Sequence, residues 1–234
     1  MTDRSPNSTT SRHRHILTFN FRQGRKKARH DEAEQLRPRY ELAWSPEDGR
    51  LDLPELFGRN APTVLEIGSG NGEATLAMAE ADPARDILAV EVYPQGVADL
   101  MIGADERGID NVRVYNGDAL PLLWEGLEPN SLDEIRVYFP DPWTKKRHHK
   151  RRIIQPDHVA TMRELLRIGG RLHTATDITD YAEHMLEVMT AANGLENDYA
   201  GFAPRPDHRP VTKFERRGQG AGRDIFDLLF TKTG

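Results

Sequence analysis

The stretch Thr63–Val92, "TVLEIGSGNGEATLAMAEADPARDILAVEV", decides the reading of this chain. "TVLEI" is a short apolar run that ends in glycines, "EATLAMAEA" spaces its apolar residues as a helix does and uses strong helix formers, and "DILAVEV" is a second apolar run. Strand, helix and strand in about 30 residues make a βαβ unit, with Gly68, Gly70 and Gly72 at alternate positions where the first strand hands over to the helix. Glycine there lets the backbone turn tightly and approach a ligand at the helix start. The dinucleotide fingerprint needs a third glycine where Glu73 stands, so NAD is a poor fit.

The same alternation continues outward. "GVADLMIGADERG" reads as helix, "NVRVYNGDA" as strand, and "LDEIRVYFPDPW" as a strand that stops at Pro140, because proline cannot donate to a ladder. "DHVATMRELLRIGG" reads as a helix ending at Gly169-Gly170, followed by strand "RLHTATD", helix "DYAEHMLEVMTAA" and a last strand "RDIFDLLFTK". Such alternation predicts a mostly parallel sheet covered by helices on both faces.

With 234 residues the chain fits one α/β domain, expected over 31–234, behind a basic arm at 1–30 that shows no sustained apolar period. It has no cysteine, its first residues are polar and basic where a secretory segment would be apolar, and no apolar run approaches the roughly 20 residues that cross a bilayer. The expected address is the cytoplasm. A net charge of -5 argues against a protein that coats nucleic acid by overall charge. The cations are instead gathered into two islands: Arg4, Arg12, Arg14, Arg22, Arg25, Lys26, Lys27 and Arg29, and the block Lys145–Arg152 in "FPDPWTKKRHHKRR". Such islands suit a polyanion held at one face, although a charge run by itself is commonly a solvated surface. Trp143 beside the second island offers an aromatic face for a base or a sugar. The adjacent His148 and His149 lack the spacing of a metal pair, and no metal is expected.

Four acids close four successive strands: Glu66, Glu91, Asp118 and Asp141. Ligands of open α/β sheets lie at the carboxyl ends of the strands, so these side chains should line one crevice, with Asp177 on the same rim. An acid after the second strand can accept from two ribose hydroxyls and one after the third from an adenine amino group. Acids near the first and fourth can hold an ammonium or face a sulfonium. Asp118 in "NGDA" is equally good turn chemistry, but the four acids together favour a nucleoside-type cofactor. Pro140 and Pro142 stiffen the loop that carries Asp141, which suits a positioned catalytic group. In "RPVTKFERRG", an extended run would put Lys213 and Glu215 on one side and Thr212 and Phe214 on the other; an exposed hairpin reads equally well.

The motifs "LEIGSGNG", "FPDPWTKKRHHKRR", "TATDITDYAEHMLEVM" and "RPVTKFERRGQGAGRDIFDLLF", in this order from about Ile16 to the C-terminus, resemble those of the bacterial tRNA (guanine-N7-)-methyltransferases. The first is shared by methyltransferases at large; the second and fourth are specific. The resemblance implies a class I S-adenosylmethionine-dependent methyltransferase of Rossmann-like α/β fold, with a seven-stranded mostly parallel sheet and an antiparallel last strand. It implies methylation of N7 of the guanine at position 46 of tRNA, with S-adenosylhomocysteine as the other product. By the same resemblance Glu66, Gly68, Gly70, Glu91, Asp118 and Asp141 contact the methyl donor, and Asp141 is catalytic. Lys145, Asp177, Thr212, Lys213 and Glu215 bind substrate, and Arg147, His148, Lys150, Arg151 and Arg152 touch RNA. The N-terminal functional arginine matches Arg25, with Arg22 as the alternative register. Thr144 and Arg223 depart from the residues expected at their places, and neither carries an assigned role. Two other classes use part of the same equipment: a small-molecule methyltransferase would have no need of the basic islands, and a non-catalytic RNA-binding subunit no need of the acids.

Overall fold

A computed structural model describes residues 17–19 and 30–234, apart from the side chains of residues 30, 213 and 214. Its centre is an eight-stranded sheet, built from β1 (Glu41–Leu42), β2 (Thr63–Ile67), β3 (Asp86–Glu91), β4 (Val112–Asn116), β5 (Leu132–Tyr138), β6 (Leu166–Thr176), β7 (Leu195–Asn197) and β8 (Phe226–Lys232). The spatial order is β1-β4-β3-β2-β5-β6-β8-β7, and β8 runs antiparallel to both of its neighbours while the pairs from β1 to β6 are parallel. Seven strands with one antiparallel strand near the C-terminus match the expectation. The eighth, β1, has only two residues, too few for a strand period to be visible in sequence.

Residues 30–42 form α1 (His30–Tyr40) and β1, and α2 (Leu53–Phe57) follows. The crossovers carry α3 (Glu73–Ala81), α4 (Pro94–Glu106), the short turn α5 (Ala119–Pro121), α6 (Pro156–Leu165) and α7 (Thr179–Thr190), and α8 (Lys213–Gly220) precedes the last strand. Alternate residues of β2 feed two cores. Val64 packs with Leu76, Met78, Leu100 and Met101 of α3 and α4, while Leu65 packs with Val159, Met162, Tyr181 and Met185 of α6 and α7.

Two expectations change. The segment "LRIGG" belongs to β6 and not to the preceding helix, which ends at Leu165; Gly169 has φ +80 inside that strand, and pairing with β5 resumes after an irregularity in register. The stretch "TKFERRGQG" is helical, neither extended nor a hairpin: Thr212 caps α8 by accepting from the Glu215 amide at 3.3 Å.

Candidate functional site

At the carboxyl ends of the parallel strands lies a cleft of about 340 Å³. It is lined by Glu66, the loop Gly68–Asn71, Glu91, Asp118, Asp141 and Thr212, together with Thr18 and Phe19. The glycines make this geometry possible. Gly68, Gly70 and Gly72 have φ of +83, +60 and +80, conformations that residues with a Cβ seldom adopt. Gly96 serves from the other side: a Cβ there would lie 2.2 Å from the Gly70 carbonyl oxygen, so α4 reaches the loop only because residue 96 has no side chain.

Glu91 holds the loop from below. Its carboxylate accepts the Gly70 amide at 2.7 Å and the amides of Val92 and Tyr93 at 2.7 and 2.9 Å. Burial pushes the Glu91 carboxyl above the ordinary carboxylate range, against the pull of these three N–H groups. Glu66 is 3 % exposed, and burial raises it too, against the attraction of Arg136. Its Oε2, with the neighbouring Ser69 Oγ, has no hydrogen-bond partner among the described residues. A buried carboxylate oxygen without a donor costs about 1–3 kcal/mol or more, and Glu66 lines the cleft, where a ligand could supply that donor. An ammonium on an amino-acid moiety has the right charge. Asp118 caps α5 by accepting from the Leu120 amide at 3.0 Å and still lines the cleft beside Ala119.

Asp141 follows Phe139, whose φ of +49 is unusual for a residue with a side chain, and Trp143, with φ +45, repeats this two residues on. The strained turn carries the chain directly from β5 into the basic block, of which Lys146–Arg151 form a 3₁₀ helix. Lys145, Lys146, Arg147 and Lys150 are exposed and His148 is half-buried. Partial loss of water and the surrounding cations Arg147, Arg151, Lys145 and Lys150 hold His148 below its usual range.

Three residues of this region are engaged by the protein itself instead. Arg152 is 1 % exposed, stacks 4.6 Å from the Tyr181 ring centroid, donates to the Pro142 carbonyl at 3.0 Å and pairs with Asp180. It braces the turn against α7 and does not present its guanidinium to a phosphate. Trp143, expected as an aromatic platform, is 8 % exposed: its indole N–H donates to the Thr18 carbonyl at 2.8 Å, and the Arg151 guanidinium covers its ring at 3.8 Å. Arg151 itself donates to the Leu17 carbonyl at 2.9 Å. Trp143 and Arg151 thus clasp the 17–19 segment over the cleft, and nothing in the separate motifs signalled that contact.

Asp177 lies outside the cleft lining and accepts from Arg223 Nε at 2.7 Å. Thr212 reaches the cleft, whereas Glu215, three residues on, is fully buried and paired with Arg209. Arg25 and Arg22 lie outside the described residues, as does the Lys213 side chain.

Among the described residues one cluster brings possible metal ligands together. Glu134, His173 and His208 each place an atom within 4.8 Å of the others. Glu134 is already held by Arg136 at 2.8 and 2.9 Å, and both ring nitrogens of His173 are engaged, by the Tyr138 hydroxyl and by Asp227. A cation here would face a buried guanidinium, so the cluster suits an ion-pair network better than a metal.

Comparison with known proteins agrees with this geometry. A family model described as putative methyltransferase matches residues 60–228. A protein of Saccharophagus degradans named tRNA (guanine-N(7)-)-methyltransferase is 50 % identical over 188 residues, 80 % of this chain and 82 % of the relative. Proteins of the same name from Marinobacter nauticus and Streptomyces avermitilis are 45 % and 50 % identical, covering 97 % and 94 % of this chain and 95 % and 76 % of the relatives. The chain belongs to the tRNA (guanine-N7-)-methyltransferase family. Among solved structures, the 16S rRNA methyltransferase KamB superposes with a TM-score of 0.56 at 16 % identity, over 94 % of this chain and 99 % of that one. An antibiotic-related methyltransferase gives 0.57 at 16 %, over 80 % and 94 %. At such identity the structures speak for the fold, and the fold is that of the class I S-adenosylmethionine-dependent methyltransferases. Among the described residues no helix is long and apolar enough to cross a membrane.

Proposed function

We propose that this protein transfers a methyl group from S-adenosylmethionine to N7 of the guanine at position 46 in the variable loop of tRNA. The observation that carries the reading is the juxtaposition at one sheet edge of a cleft walled by strand-end acids and an exposed basic turn, joined by the rigid segment around Asp141. Relatives named tRNA (guanine-N(7)-)-methyltransferase, one of them matched over 95 % of its own length, support it.

S-adenosylmethionine supplies a methyl group activated on a sulfonium. In this reading Glu91 and Asp118, which line the cleft, accept from ribose hydroxyls and an adenine amino group, and Glu66, with its unpartnered oxygen, accepts from the ammonium. Guanine N7 presents a lone pair on the major-groove edge and has no proton to lose, so no general base is needed. The work of the residues is alignment. Holding two reactants in line contributes up to about 7–11 kcal/mol in the best intramolecular cases. The Asp141 carboxylate can accept from N1–H and N2–H of the guanine and offset the positive charge that develops on the ring. Lys145, Lys146, Arg147 and Lys150 face outward, where tRNA phosphates would lie. This reading places the protein in the cytoplasm with its substrate.

The test is methyl transfer from labelled S-adenosylmethionine to an unmodified tRNA transcript, followed by digestion to nucleosides. A second transcript lacks the variable-loop guanine. Label in 7-methylguanosine that disappears with the second transcript is expected. Donor binding without label in tRNA would return the protein to the small-molecule methyltransferases, and tRNA binding without donor binding would make it a non-catalytic RNA-binding subunit.

A further inference from the structure

Arg209 opens the motif "RPVTKFERRG" and has so far carried no role. It is 1 % exposed, yet its guanidinium touches both halves of the acceptor side. Toward α8 it pairs with Glu215, Nη1 to Oε2 at 2.5 Å and Nη2 to Oε1 at 3.4 Å. Toward the sheet it grips Asp227 on β8 through Nε and Nη2, both at 2.8 Å. Asp227 Oδ1 also accepts from His173 Nε2 at 2.8 Å, and His173 Nδ1 is hydrogen-bonded with the Tyr138 hydroxyl at 2.8 Å, at the end of β5. The guanidinium carbon lies 5.8 Å from the ring centroids of both Tyr138 and Phe139, the residues that lead into Pro140-Asp141. One planar cation therefore connects the helix cap at Thr212 with the turn that bears Asp141. A buried cluster of this kind is seldom more stabilising than apolar residues of the same size, and its chemistry is directional: only a forked donor can hold two carboxylates at fixed angles.

We propose that Arg209 is a positioning residue that sets Thr212 and Asp141 relative to one another, and that Glu215 acts on the substrate through Arg209, without touching the guanine. The proposal rests on the reading of the cleft as a tRNA methyltransferase site. Its chemical sense is simple. Glu215 is fully buried and already paired, so a guanine amino group would have to displace Arg209 to reach it.

The experiment compares Arg209→Lys, Glu215→Gln and the double variant. Four quantities are read: S-adenosylhomocysteine affinity by calorimetry, kcat and KM with a tRNA transcript, and amide hydrogen exchange across residues 209–223. Arg209→Lys keeps the charge and loses the fork. It should lower kcat by about tenfold or more through misalignment, leave S-adenosylhomocysteine affinity within about twofold, and speed exchange in α8. Glu215→Gln should lose little further activity in the Arg209→Lys background, because both act through one contact. Fully multiplying effects, or Glu215→Gln losing turnover while α8 exchanges as in the unmodified protein, would mean that Glu215 meets the substrate itself and would overturn the proposal. If Arg209→Lys does not fold, Glu215→Gln alone decides between these outcomes, since Arg209 then still has Asp227. If the unmodified protein makes no 7-methylguanosine, the functional reading fails, and the exchange data still decide whether Arg209 orders α8.

Discussion

Acids at the same edge of one sheet do two different jobs. Glu66 and Glu91 stand at the carboxyl ends of β2 and β3, are nearly buried, and are pushed up in pKa because burial outweighs what the protein offers their charge. Glu215 and Asp227, on the β6–β8 side, are at least as buried but share a guanidinium between them. The difference sorts a rim of carboxylates: one that the fold compensates only in part, as at Glu66 with its unpartnered Oε2, is the candidate waiting for a ligand, and one held in a full ion pair is part of the frame. The basic turn repeats the lesson with the opposite sign. Arg147 and Lys150 face solvent, while Arg152, in the same run of cations, is spent on Asp180 and the Tyr181 ring.

The strongest way to break the comparison is at Asp141. Asp141→Asn keeps the shape and removes the charge, and single-turnover methylation at saturating tRNA and donor should fall by about 100-fold or more, the usual loss for one preorganised electrostatic contact. Unchanged turnover would remove Asp141 from the chemistry.

Next comes Glu66→Gln, with an expected loss of about 10–100-fold in S-adenosylhomocysteine affinity, the worth of one charge-assisted hydrogen bond. The same substitution should stabilise the ligand-free protein at neutral pH. The sign follows from the raised pKa of Glu66: the folded state holds its proton more tightly than the unfolded state, so this contribution to stability is full below the unfolded value of about 4.3 and is lost as pH rises through the folded value. The Tm advantage of the variant should therefore grow as pH is raised from 5 to 8. An advantage that shrinks with pH would contradict the assignment.

The cations sharpen the same contrast. Replacing Lys146, Arg147 and Lys150 together by Ala should reduce the salt slope of tRNA binding by about 2–3, at 0.7–0.9 for each phosphate contact released, and leave donor affinity unchanged. Arg152→Ala should do the reverse, lowering stability by about 1–3 kcal/mol with no change of slope. The smallest effect is expected from Trp143→Phe. Loss of the hydrogen bond to the Thr18 carbonyl should cost about 0.5–1.5 kcal/mol and release the 17–19 segment to faster proteolysis.

The cleft with its strand-end acids was legible in the sequence because it is local. Strand, glycine loop and terminal acid follow one another within a few residues, and strand ends converge by topology alone. The region around α8 and Trp143 depends on pairs distant in sequence. "TKFERRGQG" carries charges and glycines that suit an exposed hairpin, and it becomes a helix because Thr212 caps it and Arg209 anchors Glu215 to Asp227. Trp143 reads as a stacking surface until its partner, the Thr18 carbonyl 125 residues earlier, is seen. In α1, Ala33, Leu36 and Tyr40 form a narrow apolar stripe among charges with Pro38 between them, and only packing against α4 makes a helix of it. The "LRIGG" segment has helical residues before its glycines, but pairing of Leu166 with Leu132 assigns it to the sheet.

The most direct test of the division between waiting and compensated acids is calorimetric titration of S-adenosylhomocysteine into the unmodified protein, Glu66→Gln and Glu215→Gln side by side. The division predicts affinity lost in Glu66→Gln and kept within about twofold in Glu215→Gln, since only the first removes an acceptor from the cleft. Equal losses in both, or a loss confined to Glu215→Gln, would contradict it.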